Sequence, residues 1–531
     1  PPPELRELTV SCKDRVNYIS RRRPISISSR TSEIRSAQMG ADSFGKRLQA
    51  VDSFQAWLGK LNFENLVKIA LTNIKGMPHS FTQLLQLQYL TLRNCSKLVL
   101  PDLGKISTLE YLDLEGCYSL QQCPKGTIAQ RSLKYLNVLY TNLKELPEHL
   151  EQLENLEQLR VTTLPEDIVW MNIKFLDVQD CGITGFKIGE DPGDMPLDSF
   201  QTQGGVHNGE LLMKTAHHSR VSCLTILMIK SCSISKLYIP RAKSLFPNLE
   251  IVDLSNNESL TDIEGLPGNL IRLDLMNCLG LKTMTCLSNL ASLKYLNISG
   301  CDGLKTVNVQ DLSSIEVIKA EECWELQSIK GLGQLQKLAH FEISTGNSVF
   351  SSTWRDIMTF PSNISSAILW GGTVHSAEVD KMYALGDSFE HVKVTSICAN
   401  VINQGSGFSV KLEDESLEGA ILVCLIALMD CEFGVRLGRY YYTNTNIFKD
   451  DENTYRAHML MWTKHSDVLK DLKFGNDQEG AYCEIKLFNP ITDSKVDGMN
   501  KGWIVMAKQF DFCKQFLTSL FDGGGNYRDK I

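Results

Sequence analysis

The chain has 531 residues, 43% hydrophobic and 22% charged, with a formal net charge of −8, a composition that excludes disordered and fibrous classes. A mild acidic excess, 62 Asp+Glu against 54 Lys+Arg, argues against a surface built to neutralise phosphate backbones, so nucleic acid is not an expected partner. The longest purely apolar run, from Ala420 to Met429, is about half of the ~20 residues a helix needs to cross a bilayer, and no membrane span is expected.

The chain opens on Pro1-Pro2-Pro3-Glu4 with neither an initiator Met nor an apolar leader, which reads as a piece of a longer protein without a secretory signal. Along it the pattern L-x-x-L-x-L recurs as Leu66/Ile69/Leu71, Leu87/Leu90/Leu92, Leu109/Leu112/Leu114, Leu133/Leu136/Val138, Leu156/Leu159/Val161 and Ile173/Leu176/Val178. It continues as Leu224/Leu227/Ile229, Leu249/Val252/Leu254, Leu270/Leu273/Leu275, Leu293/Leu296/Ile298, Ile315/Ile318/Ala320 and Leu338/Phe341/Ile343, and Leu5/Leu8/Val10 fits a further copy. Most starts are 21 to 25 residues apart, with one step of 17 and one of 51. Each copy predicts a short strand that sends its apolar residues into a shared core before the chain turns back on the outer face. Stacked copies predict an α/β solenoid, a leucine-rich-repeat horseshoe with a parallel sheet on its concave side.

Three places after the third apolar residue stand Cys95, Cys117, Cys181, Cys232, Cys278, Cys301 and Cys323, with Asn257 and Thr141 in the same slot. A thiol or small polar group there is expected to bond the backbone of the turn that follows, forming a buried ladder. That accounts for seven of the 16 cysteines, and with no C-x-x-C pair the reading is reduced thiols in the cytosol or nucleus. Of the N-x-S/T sequons at Asn94, Asn257, Asn297 and Asn363, three adjoin or occupy the ladder and are discounted as glycan sites. Two stretches break the period: residues 13–60, which carry Arg21-Arg22-Arg23-Pro24, and residues 187–220, rich in Gly, Asp and Pro. They read as solvated loops or as ligand-contacting insertions, and the arginine run as a localisation or phosphate-binding patch.

After about residue 350 the period stops. Phe408 to Leu412, Ala420 to Met429, Tyr482 to Phe488 and Gly502 to Met506 read as strands, which predicts an all-β sandwich. The stretch from Phe510 to Leu517 reads as helical and Gly523-Gly524-Gly525 as a flexible end. The predicted organisation is a repeat solenoid over 1–347, a C-terminal β domain over 348–520 and a tail over 521–531.

In combination these features resemble the plant intracellular nucleotide-binding leucine-rich-repeat immune receptors of the TIR class. The form L-x-x-L-x-L-x-x-C-x-x-L of Leu109 to Leu120 and of Leu293 to Leu304 carries the likeness, with turns at Leu143-Lys-Glu-Leu-Pro147 and Ile74-Lys-Gly-Met-Pro78 similar to the L-x-x-L-P turns of that class. Gly405-Ser-Gly-Phe-Ser-Val410, followed by Glu418-Gly-Ala-Ile-Leu-Val-Cys424, is similar to the start of its C-terminal jelly-roll and immunoglobulin-like domain, and Lys501-Gly-Trp-Ile-Val505 stands where the final strand of that domain would be. The resemblance implies recognition of a pathogen effector protein, relief of autoinhibition in the receptor's own upstream nucleotide-binding and TIR domains, and homo-oligomerisation on activation. It implies no cofactor in this segment: ADP or ATP, and the NAD cleaved by assembled TIR domains, belong to the upstream domains.

No phosphate loop, H-E-x-x-H, G-x-S-x-G or metal-ligand spacing is present, so binding rather than catalysis is the expectation, with no metal site. The alternatives are a substrate-receptor repeat domain of a ubiquitin ligase, an extracellular receptor or inhibitor, and an enzyme with its site in 350–520. Position five of each repeat is expected on the concave face and reads Asp113, Asn137, Arg160, Asp177, Met228, Asp253, Asp274, Asn297 and Lys319. Position three reads Tyr89, Tyr111, Tyr135, Gln158, Phe175, Ile226, Ile251, Ile271 and Tyr295. An aromatic row beside a mostly acidic row suits a protein partner, although bulky residues there could equally pack between strands. The candidate contacts are Tyr111, Asp113, Tyr135, Arg160, Phe175, Asp177, Asp253, Asp274, Tyr295 and Lys319, and in the second domain Arg439, Tyr440, Tyr441 and Tyr442.

Overall fold

The computed structural model describes residues 7–11, 66–73, 85–95, 102–146, 150–163, 172–181, 185–189, 210–214, 223–239 and 246–345, and beyond these ten strands between 366 and 507. Two compact units result, one formed mainly by Pro1–Gly182 and Leu211–Cys232, the other mainly by Ser233–Ile531.

In the first unit the strands Glu7–Ser11, Lys68–Thr72, Tyr89–Arg93, Tyr111–Asp113, Tyr135–Asn137, Gln158–Val161, Phe175–Gln179 and Ile226–Lys230 pair in parallel, each with the next. The register is that of the repeat: Leu90 lies opposite Leu112, Leu112 opposite Leu136, and so on through Leu159 and Leu176 to Leu227. Leu8 opposite Ile69 and Val10 opposite Leu71 make the N-terminal copy a true member of the stack. The 51-residue step is likewise no break, because Phe175–Gln179 pairs directly with Ile226–Lys230. Strands Gly185–Gly189 and Glu210–Lys214 lie within or beside the insertion that fills this step, while most of it and all of 13–60 fall outside the described residues.

The second unit continues the pattern. Ile251–Asp253, Arg272–Asp274, Tyr295–Asn297, Val317–Cys323 and His340–Thr345 form a parallel sheet in which Val252, Leu273, Leu296, Ile318 and Phe341 share one row. In both units the core is this row together with the other two apolar positions, which are almost wholly buried. Burying one such leucine contributes roughly 2 kcal/mol, so the repeat leucines drive the stacking.

The strands are short because the chain turns sharply two residues past the third apolar position. There Asn73, Asn94, Gly116, Tyr140, Asp180, Ser231, Asn256, Asn277, Gly300 and Glu322 all adopt positive φ. Asn and Gly tolerate this left-handed geometry best, since other side chains crowd the backbone there. Gly116 and Gly300 are further constrained, because a Cβ on either would lie 2.1 Å from the side-chain oxygen of Asn94 or Asn277 in the preceding turn. Glu322 has no such fit to the left-handed region. Glu322→Asn should therefore raise stability by about 1 kcal/mol in denaturant titrations, and a loss of stability would mean that the Glu322 side chain supports the turn in some other way.

The next residue is the ladder position, and here the structure differs from the sequence expectation. The thiols of Cys95, Cys117, Cys232, Cys278, Cys301 and Cys323 donate backward, to the third apolar carbonyl of the preceding repeat: Leu71, Leu92, Val178, Leu254, Leu275 and Ile298, at 3.1 to 3.7 Å, and those of Cys95, Cys232 and Cys323 also meet the carbonyl two residues back, at 3.1 to 3.6 Å. Asn257 and Thr141 instead bond within their own repeat, to Leu254 O and Val138 O. Ten described cysteines are free, and burial pushes the thiols of Cys232, Cys278 and Cys323 up to about 12. These thiols should resist alkylation at neutral pH in the folded chain and react once it is unfolded without reductant. Rapid native modification of Cys278 or Cys301 would contradict the ladder.

Past the last repeat, Ser366–His375 pairs in parallel with His340–Thr345 on one side and antiparallel with Thr454–Thr463 on the other. The repeat sheet therefore passes directly into antiparallel structure, which covers an otherwise open sheet edge. The expected strands appear as Gly407–Leu412, Ile421–Leu428, Gly480–Phe488 and Lys501–Ala507. Ile421–Leu428, the uninterrupted apolar stretch, lies between Thr454–Thr463 and Lys501–Ala507 in the sheet. Gly407–Leu412, Gly480–Phe488, Phe433–Leu437 and Tyr440–Asn444 form a separate antiparallel sheet. The segment 510–517 and the glycine run lie outside the described residues.

Candidate protein-binding face

Residues at positions four and six of each repeat enter the core, so positions three, five and seven stand on the opposite, open face of the parallel strands. In the first unit position three carries an aromatic row. The rings of Tyr111 and Tyr135 stack at 4.0 Å with 6° between planes, and Tyr89 leans on Tyr111 at 6.0 Å. Tyr89 is the exposed end, at 39%. Burial, followed by the neighbouring Tyr135, raises the Tyr111 hydroxyl far above its ordinary range, so it is a neutral hydrogen-bonding group at any physiological pH.

Position five does not present the free acidic row expected from sequence. Asp113 and Asp177 are 0% and 1% exposed, and each is covered by an arginine. Arg93 Nε and one terminal nitrogen donate to Asp113 Oδ2 at 2.8 and 2.6 Å, and Arg160 Nε donates to Asp177 Oδ2 at 3.0 Å. Asn137 donates to both Asp113 and Glu115, at 3.0 Å each, while Glu115 lies 3.7 Å from both arginines. Gln179 donates to Asp177, and the Tyr140 hydroxyl donates to Gln179 Oε1 at 2.7 Å. Tyr140 thus holds its left-handed turn with a side chain that closes the network. Burial pushes the Asp113 carboxyl up despite Arg93; for Arg160 burial opposes the charge, but Asp177 and Tyr135 outweigh it and raise the guanidinium. The acids act first as internal partners, and the solvent meets tyrosine rings, guanidinium edges and Phe175, which is half-buried.

The second unit repeats the principle with different residues. The residue in register with Ile251 and Tyr295 is Arg272, not Ile271, which precedes it by one place and so lies off position three. Arg272 lies 3.8 Å over the Tyr295 ring and pairs with Asp274 at 3.1 Å. Asp274 also accepts from Asn297 at 3.0 Å and is nearly buried, and burial raises its carboxyl. Charge reversal at Asp274 would therefore disturb the fold as well as the surface, whereas Asp253 is half-buried and accepts from the Ser255 N–H. Lys319 pairs with Glu342 at 3.0 Å and lies 3.6 Å from Glu321.

Tyr440, Tyr441 and Tyr442 lie on the strand Tyr440–Asn444, paired antiparallel with Phe433–Leu437, while Arg439 falls outside the described residues. Sequence reasoning missed Arg93, Glu115, Gln179 and Glu321, all at position seven. The period-two alternation continues one residue beyond the third apolar position and would have found them. Along position two, Glu110 pairs with Lys134, Glu157 with Lys174 and Lys294 with Glu316, at 2.8 to 3.1 Å, an exposed ladder that aligns repeats with little energetic weight. Among the described residues no group of His, Cys, Asp and Glu is placed to hold a metal ion, and no helix is long and apolar enough to cross a membrane.

No family model matches the chain. The Arabidopsis thaliana protein SUPPRESSOR OF npr1-1, CONSTITUTIVE 1 is 28% identical over 255 residues, covering 46% of this chain and 15% of that protein. The Arabidopsis thaliana disease resistance protein RPS6 is 28% identical over 298 residues, 50% of this chain and 22% of its own length, and RRS1 is 28% identical over 234 residues, 39% and 15%. The chain is a relative of plant disease resistance proteins. These relatives bear out the resemblance to TIR-class nucleotide-binding leucine-rich-repeat receptors that the repeats carry. The matches span between 15% and 22% of the lengths of these disease resistance proteins. Among solved structures, a leucine-rich-repeat protein of Leptospira interrogans covers 57% of this chain and 71% of its own, at 18% identity and a TM-score of 0.35.

Proposed function

We propose that this chain is the recognition region of a plant intracellular immune receptor, and that the open face of its repeat sheet binds a pathogen effector protein directly. The observation that carries this reading is the division of labour within each repeat: positions four and six hold the core, leaving rows of aromatic and arginine side chains on the opposite face, where a partner can reach them. The C-terminal antiparallel sheets, read as a jelly-roll and immunoglobulin-like sandwich, would contribute a second contact through Tyr440, Tyr441 and Tyr442. Effector binding would relieve autoinhibition of upstream nucleotide-binding and TIR domains and permit homo-oligomerisation, with ADP, ATP and NAD used only there. The segment itself would act by binding, not catalysis, in the cytosol or nucleus.

A two-hybrid panel of secreted pathogen proteins tests the reading, with each hit re-measured against Tyr89→Ala and Tyr295→Ala. A face that carries hot-spot aromatics should lose about tenfold or more in affinity on either change, with folding unchanged. Hits that bind both variants as tightly as the parent would move recognition off this face.

A further inference from the structure

The last two repeats place five polar side chains in a continuous line that crosses from the repeat sheet to the first strand of the antiparallel region. Lys319 Nζ lies 3.6 Å from Glu321 Oε1 and 3.0 Å from Glu342 Oε2. Glu342 Oε2 is in turn 3.6 Å from Nε2 of His340, and Nδ1 of the same ring meets the Ser366 hydroxyl in a short contact. Ser366 is buried, its N–H donates to Ala339 O at 3.0 Å, and it opens the parallel pairing that runs from His340 opposite Ser366 to Ser344 opposite Trp370. A single lysine therefore serves two carboxylates, only one of which is tied onward to the junction.

Other charged groups do not resolve the competition. Glu322, beside Glu321 on the same strand, adds negative charge, and the preceding repeat offers Tyr295 and, in the turn that follows its strand, the Ser299 hydroxyl, which accepts the Glu321 N–H at 3.1 Å. Asp302 is engaged by the Trp324 N–H on the adjoining turn. The two carboxyls have been driven apart. Burial, then Glu342, pushes Glu321 up to about 7, whereas for Glu342 His340 and Lys319 outweigh burial and hold it down at about 2.

We propose that this line is a proton-operated latch between the last repeat and the C-terminal sheet: with Glu321 protonated, Lys319 is committed to Glu342 and the His340–Ser366 contact is closed, and with Glu321 ionised, Lys319 is shared, Glu342 is repelled and the junction loosens. The sign follows from linkage. Glu321 has a raised value in the closed state against 4.5 for an ordinary Glu, so the closed junction binds more protons, is favoured at acid pH and weakens as pH rises to about 7. If the open junction restores the ordinary value, the opening equilibrium rises about tenfold between about pH 6 and about pH 8.

Amide hydrogen exchange of the whole chain tests this, read at Ser366–His375 and corrected for the intrinsic pH dependence, with Tyr295–Asn297 as an internal control. The parent should show the tenfold rise at Ser366–His375 alone. Glu321→Gln should abolish it, and His340→Gln, which leaves Glu321 in place, should keep a rise of the same sign. A rise that survives in Glu321→Gln, or junction exchange in the parent with no such rise, overturns the latch; unchanged protection at the control strand in each variant shows that the fold is retained.

Discussion

Replacing Leu296 by Ala should lower the unfolding free energy of the second unit by about 3 kcal/mol. Leu296 is fully buried and sits between Leu273 and Ile318 in the row that forms the centre of the stack. The strand carrying it, Tyr295–Asn297, is only three residues long and is fixed on both sides by its neighbours, so it has little freedom to collapse into the space left behind. In a stack of this kind each repeat is held mainly by the two beside it, so the damage should be local. Chemical denaturation followed by local hydrogen exchange would read both the size and the spread. A cost below about 1 kcal/mol would mean that the row is not the close-packed core the register implies.

Arg160→Met should cost about 3 kcal/mol, although Arg160 is a partly exposed surface-face residue. Its guanidinium covers Asp177, which is almost wholly buried and would be left with Gln179 as its side-chain donor. An uncompensated buried carboxylate is costly because no water can replace the lost cation. The double variant Arg160→Met with Asp177→Leu should recover most of the loss, since it removes both charges together. If the double variant is as unstable as the single one, the arginine contributes through packing or through Tyr135, and not through Asp177.

Much of the repeat architecture was legible in the sequence because it depends on spacing alone. Leucines at fixed intervals predicted the strands, and cysteines three places on predicted a ladder, even across the 51-residue step. The direction of the ladder bonds was not legible, because it depends on where the chain stands after a left-handed turn set by residues as different as Asn277 and Tyr140. The acidic row was misjudged for a related reason. Asp113 and Asp177 fall on the open face by periodicity, but whether they meet solvent depends on arginines one strand away, and nothing local records that Arg93 folds over Asp113 or Arg160 over Asp177. The miscounted Ile271 shows how tightly the face depends on register, since a shift of one residue exchanges an aliphatic group for the guanidinium that stacks on Tyr295. In the C-terminal region alternation located several strands, but Ser366–His375 was missed because Gly371-Gly372 interrupts its apolar run and it carries no regular alternation.

The most direct test of the open face as the recognition surface is a hydrogen-exchange footprint of the chain bound to a partner recovered from the effector panel. New protection is expected on strands that carry the exposed rows, Tyr89–Arg93, Tyr111–Asp113 and Tyr295–Asn297, with little change at the outer turns Leu103–Lys105 and Thr285–Asn289. Protection confined to those outer turns, with the strands unchanged, would contradict that expectation.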